Sequence, residues 1–295
     1  MSEKTRIIFG YVLICIIWGT TWLAIRIGLE DLTPVYSSGL RFLTAAILLF
    51  IIVKLRRIEL QTDKNSMRIY FVQGIFTFLL PFGMIYWGQQ YVPSGLASVL
   101  FSIYPFLVAI FSKLVFREDK IGAAKVVSLI LGFTGVFLLF FDKLGLGEID
   151  SALGMGAIAL GAAFQAGVVI VIKKYGAHLN VVSMNLVPLA IASAVMIPLG
   201  MLTEETGKIV FTLPAIFSIG YLAVFGTIIT FVTYYWLLKK INIILLSLVA
   251  FITPIIALIA GWIVYNETLN YLQLTGTIII LASLLLAIKG NKGTG

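Results

Sequence analysis

The chain has 295 residues, of which 60% are hydrophobic and only 12% charged, roughly half the charged share of a soluble domain. Its mean hydropathy of +1.07 leaves too little polar surface to coat a water-soluble globule, which excludes a soluble enzyme, a disordered chain and a secreted scaffold. The net charge of +8 raises nucleic acid as a partner, and the single cysteine, Cys15, excludes an intrachain disulfide and a cysteine-rich metal site.

A bilayer core about 30 Å thick needs roughly 20 apolar residues at about 1.5 Å each. The first such run is 7–29. It is too long for a signal-peptide core and no small-residue cleavage pattern follows it, so it is read as a span. Cys15, Gly19, Trp22 and Arg26 share one helical face on it. Arg26 is expected to pair with Glu30 or Asp31 at the interface. The second run, 34–53, carries Ser37, Arg41 and Thr44 at helical spacing. An ionisable group inside a span costs about 2.5–3.5 kcal/mol on insertion scales and is a functional suspect for that reason. Arg41 suits a substrate carboxylate or phosphate, because its planar fork fits both. The competing reading is that it bonds neighbouring helix ends or snorkels outward.

The third run, 67–88, contributes Gln73, Thr77 and the pair Tyr86-Trp87; the fourth, 94–116, contributes a small polar face of Ser94, Ser98, Ser102 and Ser112 with Pro105 at its middle. The fifth run is 121–141, and the sixth, 151–172, carries Gln165. In the sixth, Gly154-Met155-Gly156-Ala157-Ile158-Ala159 mimics a dinucleotide fingerprint, but it lies inside an apolar span and reads as a packing face. Asn185 lies in the seventh run, 181–202; Thr230, Tyr234 and the pair Tyr235-Trp236 lie in the eighth, 214–238. Ser247 and Pro254 lie in the ninth, 243–265, and the tenth is 271–289. The runs are continuous rather than alternating, so helices and not a barrel are expected. Each mid-span proline removes a donor and frees the carbonyl four residues back, at Phe101 and Ala250. Kinks there would shape or gate a cavity at the bilayer midplane. The two Tyr-Trp pairs fit an aromatic belt.

With ten spans both termini share one side. On that side lie 17 of the basic residues against 4 on the other, while the acids divide 5 against 8. The positive-inside rule then places both termini in the cytoplasm. The basic charge is spread over six cytoplasmic segments, so it reports topology and not a nucleic-acid partner.

At an offset of 149 residues, 95–118 aligns without gaps on 244–267. Seven of 24 pairs are identical, among them Ser98/Ser247, Pro105/Pro254 and Glu118/Glu267, and Tyr86-Trp87 falls on Tyr235-Trp236. Two five-helix halves, 7–141 and 151–289, account for this. Five is odd, so the second half enters from the opposite side. Such an inverted-topology repeat is characteristic of transporters.

Local sequences also resemble a known family. Trp18-Gly19-Thr20-Thr21-Trp22, then Thr33-Pro34 followed by Arg41-Phe42-Leu43-Thr44-Ala45-Ala46, are similar to the opening helices of the EamA-type branch of the drug/metabolite transporter superfamily. The spacing of Pro105 to Glu118 and of Pro254 to Glu267 resembles the fourth helix of each of its repeats. The resemblance implies an all-α bundle of ten transmembrane helices with a central cavity. It also implies an inner-membrane exporter of amino acids or other small metabolites. Asn185 stands where an equivalent of Arg41 might be sought in the second half.

The expected function is therefore export of a small metabolite through alternating access, without an enzymatic step, cofactor or metal. The partners expected are a small-molecule substrate and the lipid bilayer, not nucleic acid, with the protein a monomer or homodimer. Candidate substrate contacts are Trp22, Ser37, Arg41, Gln73, Thr77, Tyr86, Ser98, Gln165, Asn185, Thr230, Tyr234 and Ser247. Pro105 and Pro254 are candidate gating positions. No Asp or Glu lies in the middle of a run, so a carboxylate proton relay has no seat. Phosphorylated or nucleotide-linked cargo remains an alternative that Arg41 would also serve. A membrane-embedded enzyme is disfavoured by the lack of His, Asp or Ser clusters, and a non-catalytic membrane subunit is the third alternative.

Overall fold

The computed structural model describes residues 2–116, 123–145 and 148–290. All regular structure among them is helical. Eight helices are long and apolar enough to cross a membrane. They are α1 (Glu3–Leu29), α2 (Pro34–Arg56), α3 (Lys64–Gly88), α4 (Ser94–Phe116), α6 (Ile149–Tyr175), α7 (Ser183–Thr203), α8 (Leu213–Lys240) and α9 (Ile243–Tyr265). Two further helices are α5 (Ala123–Gly145) and α10 (Tyr271–Gly290). Their apolar stretches are shorter within the described residues, Ile130–Leu139 and Tyr271–Ser283. Glu118 and the first two residues of the expected fifth span lie outside the described residues.

The helices begin where local chemistry dictates. Asp63 caps α3, accepting from the Asn65 and Ser66 backbone N–H groups at 3.1 Å each. The Ser66 hydroxyl and these backbone donors hold the Asp63 carboxyl below its usual range. Asn242 caps α9 through Ile244 N–H at 2.8 Å. Pro34 opens α2, where its missing donor is harmless. Asn266 ends α9 in the left-handed region at φ 51°.

Packing is most extensive between α5 and α10, α2 and α7, α3 and α6, and α1 and α8. The remaining strong pairs are α4 with α9, α4 with α6, α1 with α9, α3 with α7, and α2 with α8. Small residues set the closest crossings, as expected where lipid removes the hydrophobic drive and van der Waals fit takes over. Gly88 and Gly154 face each other across α3 and α6, and a Cβ on Gly88 would meet the Gly154 carbonyl at 2.5 Å. The Gly154 segment is thus a packing face. Gly135 and Gly276 oppose each other across α5 and α10 in the same way. Large apolar side chains such as Phe9, Ile47, Phe137 and Trp262 stay exposed on the outer faces, where lipid would lie.

Four helices are not continuous, and in α9 the break falls at Leu248, between Ile243–Ser247 and Val249–Tyr265. Residues Gly74–Leu79 of α3 and Val224–Ile229 of α8 are π-helical, and the two segments lie 150 residues apart. α4 pauses at Ser102-Ile103 and restarts at Tyr104. Pro105 therefore sits at the second position of a fresh helix, where proline is tolerated, rather than kinking a helix interior. Pro254 does lie inside a helix. The carbonyl it frees, Ala250 O, accepts from the Ser102 hydroxyl at 3.1 Å. The interruption of one helix is answered by the interruption of the other.

Gly88→Ala is expected to destabilise the protein by about 1–3 kcal/mol, because a backbone carbonyl cannot yield to the new methyl. Gly83→Ala, whose Cβ would meet nothing within 4 Å, is expected to be near neutral. Denaturation of both variants in detergent, side by side, checks the pair.

Candidate functional site

A cavity of about 80 Å³ lies at the centre of the bundle, between helices of both halves. One wall is aromatic. Trp18 meets Phe231 and Tyr234 at ring-centre distances of 5.3 Å each, and Trp22 meets Phe101 at 5.5 Å. The Tyr104 and Tyr234 hydroxyls share a hydrogen bond of 2.7 Å. The lining also offers Thr21, Thr77, Gln165, Ser247 and Thr253. Arg41 is the one charged residue among the described lining.

Arg41 is 1% exposed. Its Nε donates to the Thr227 hydroxyl at 2.8 Å, Nη2 to Gly226 O at 2.8 Å, and Nη1 to Tyr86 Oη at 3.3 Å. Two of these partners, Gly226 and Thr227, lie in the π-helical segment of α8, and the loosened backbone ladder there explains the free Gly226 carbonyl. Phe82 lies beneath the guanidinium, 4.9 Å from its ring centre. No carboxylate pairs with Arg41 among the described residues. Three of its five N–H groups are engaged. A buried cation without a counter-ion is electrostatically costly and is poised for an anion. Gln165 Nε2 donates to Thr77 O at 3.2 Å, within the π-helical segment of α3.

One end of the bundle is closed by a carboxylate. Glu267 pairs with Arg26 and accepts from Ser94 N at 3.0 Å, Ser94 Oγ at 2.7 Å and Gly95 N at 2.9 Å. It therefore caps the N-terminus of α4 and favours it electrostatically. Gly261 makes room for it, since a Cβ there would meet Glu267 Oε2 at 2.4 Å. Arg26 also lies over the Tyr265 ring at 4.1 Å. The expected partners of Arg26, Glu30 and Asp31, are engaged elsewhere: Tyr265 donates to Glu30, and Thr212 to Asp31. The left-handed turn at Asn266 swings Glu267 back over α4, which no local pairing rule anticipates. At the same end Glu204 caps α2, accepting from Val35 N at 2.8 Å and Tyr36 N at 3.0 Å.

Of the candidates from sequence, Trp22, Arg41, Thr77, Gln165, Tyr234 and Ser247 line the cavity. Tyr86 is fully buried behind Arg41 and bonded to it, away from any headgroup belt. Tyr235 is buried and lines the cavity as well, whereas Trp87 is exposed beside Tyr91. Ser37, Gln73, Ser98, Asn185 and Thr230 are buried between helices and outside the described lining. Gln73 Nε2 donates to Met184 O at 2.7 Å and Asn185 Nδ2 to Val181 O at 2.8 Å. Trp18, Phe82, Tyr104 and Phe231 were not singled out in sequence. Only Trp18 had a usable signal there, one helical turn before Trp22. Gly226 and Thr227 had none.

The chain matches the model of the EamA-like transporter family twice, over residues 5–141 and 152–289. It is 28% identical over 276 residues to the uncharacterized transporter YoaV of Bacillus subtilis (strain 168), covering 93% of this chain and 94% of that one. It is 30% identical over 290 residues to the uncharacterized transporter YvbV of the same organism, covering 98% and 93%. It is 27% identical over 281 residues to the uncharacterized inner membrane transporter YedA of Escherichia coli (strain K12), covering 94% and 88%. A solved crystal structure superposes with a TM-score of 0.72 at 16% identity, covering 97% of this chain and 98% of that one; it speaks to the fold alone.

Glu267→Ala is expected to destabilise the protein by on the order of 3 kcal/mol, because it strands Arg26 and the N-terminus of α4 together. Arg26→Ala is expected to cost about 1 kcal/mol, since that side chain is 32% exposed and solvent replaces much of the pair. The ranking is checked by thermal unfolding of the purified variants; equal losses would mean that the helix cap contributes nothing beyond the ion pair.

Proposed function

The chain belongs to the EamA-like transporter family, and on that premise we propose that it exports small carboxylate-bearing metabolites, amino acids foremost, by alternating access. The single observation that carries the reading is Arg41: a fully buried guanidinium, without a described counter-ion, on the wall of a central cavity whose described lining is otherwise uncharged. A carboxylate supplies the missing charge, and the aromatic wall of Trp18, Trp22 and Tyr234 covers the apolar body of the cargo. An ammonium group is accommodated by the ring faces on the same wall.

The ten helices form two five-helix repeats, 7–141 and 151–289, inserted in opposite orientations. Two observations support this. The strong helix pairs map onto one another when each helix is exchanged with the one five later, so that α1 with α9 becomes α6 with α4. The two π-helical segments also fall at equivalent positions. Both termini lie in the cytoplasm, supported by the bias of basic residues. The end closed by Glu267 then faces outward, and cargo approaches from the cytoplasmic end. Cargo shifts the balance between the two states only through its different affinity for each. Arg41 offers such a difference, because its present partners Gly226 and Thr227 belong to the other half.

Efflux of a panel of amino acids from preloaded cells tests the proposal. Arg41→Ala is expected to lower export of the responding compound by tenfold or more, on the order of one charge-assisted hydrogen bond, and Arg41→Lys to restore part of it. Unchanged efflux of every anionic or zwitterionic compound in Arg41→Ala, at equal protein levels, overturns it.

A further inference from the structure

A second cavity, of about 330 Å³, shares Ile172 and Tyr235 with the central one. It lies where α6 ends and α8 ends, at the end of the bundle that carries the N-terminus. Its charged lining residues are Lys173 and Lys239. The two side chains cross. Lys173 on α6 donates to Leu238 O, and to Ile241 O at 3.3 Å, at the end of α8. Lys239 on α8 donates to Leu179 O, and to Ala177 O at 3.1 Å, beyond the end of α6.

Carbonyls at a helix C-terminus attract an ammonium but carry no formal charge. Neither lysine has a carboxylate within ion-pair distance among the described residues, whereas the neighbouring Lys240 pairs with Glu3 at 2.9 Å. Beyond Tyr235 the central cavity adds Arg41 and no acid. The lining from this mouth to the cavity centre thus carries Lys173, Lys239 and Arg41 and no described negative group. A cleft lined by one sign of charge, with low-dielectric walls, concentrates ions of the other sign.

We propose that Lys173 and Lys239 form an anion-collecting vestibule, in which the carboxylate or phosphate of the cargo is held before it passes to Arg41. Each ammonium has three N–H groups. Two are directed at carbonyls, and the third is left for the anion. The vestibule filters by charge: it admits anions and zwitterions led by their acid, and turns away cations. A mere clamp between α6 and α8 would hold the helices together without that filter. The proposal rests on the central cavity being the cargo site.

The test needs no known cargo. Ser247 lines the central cavity, and Ser247→Cys in a Cys15→Ser background places the one thiol there. Labelling rates of the purified protein in uncharged maltoside detergent are compared for two methanethiosulfonates, the anionic sulfonatoethyl and the cationic trimethylammonioethyl reagent. The anionic reagent is expected to be favoured relative to its ratio on a free thiol. Lys173→Gln with Lys239→Gln is expected to lower that preference by about tenfold. Lys173→Arg with Lys239→Arg, which keeps both charges, is expected to retain it. At 1 M salt, where the screening length is about 3 Å, the preference is expected to collapse. Equal preference in the starting protein and the double Gln variant, or equal loss in the Gln and Arg variants, overturns the vestibule and leaves the cavity reading intact. A thiol that reacts with neither reagent overturns the cavity reading itself, and the vestibule with it.

Discussion

Inside a bilayer an unsatisfied polar group has no water to turn to, and this constraint organises the molecule. At several places where a helix of one half is interrupted or begins, a side chain of the other half supplies the missing bond. The carbonyl freed by Pro254 takes the Ser102 hydroxyl. The π-helical segment of α8 takes Arg41, and that of α3 takes Gln165. The N-termini of α2 and α4 take Glu204 and Glu267. Ser218 donates to Ala24 O at 2.6 Å, again across the halves. None of these groups is satisfied by its own half, so neither half is complete alone.

That reciprocity ties fold to function. A regular helix satisfies its own backbone and offers nothing to a neighbour except van der Waals contact. A π-helical turn gives up part of that self-sufficiency and presents a carbonyl to a partner. Here the partner is the only charged group of the cavity lining that is described, Arg41. The bond between Arg41 and Gly226 therefore joins the halves at the position where an anion would compete for the same donors. Glycines serve the same purpose at the helix ends. Gly261 and Gly95 lie so near the Glu267 carboxylate that side chains there would displace it.

Much of this was legible in the sequence because the signals are local or periodic. Apolar runs mark the helices, since length and hydropathy alone decide what a bilayer accepts. Arg41 stands out because charge inside a span is expensive. Ala250 O was identifiable as a freed carbonyl from the position of Pro254 alone. What escaped is of another kind. Arg26 has acids close by in sequence, yet it bonds Glu267, 241 residues away, because a left-handed turn at Asn266 carries that acid across the bundle. The π-helical segments have no compositional mark, since they exist by virtue of donors on other helices. Pro105 looked equivalent to Pro254 at the level of spacing. The pause at Ser102-Ile103 moves it to the start of a helix, where its effect is small.

The two ends of the bundle are bound differently. At the end closed by Glu267 the halves are joined by charged groups bonded to helix N-termini, one of them largely buried. At the end carrying the N-terminus the described ties between halves are neutral or exposed. Gln61 accepts from Asn180 N at 2.9 Å, Ser66 meets His178 at 3.2 Å, and Tyr11 donates to Leu245 O at 3.3 Å. The Glu3–Lys240 pair is solvent-exposed and contributes little. Opening the first end would uncover a carboxylate, a guanidinium and the free N–H groups of α4 together. Water entering with the opening would satisfy all three, so the barrier lies in the dry intermediate rather than in the open state. Parting the second end breaks bonds that are neutral or solvent-exposed. The two ends of this bundle are therefore tied unequally, and the inequality follows from where Glu204 and Glu267 fall in the chain.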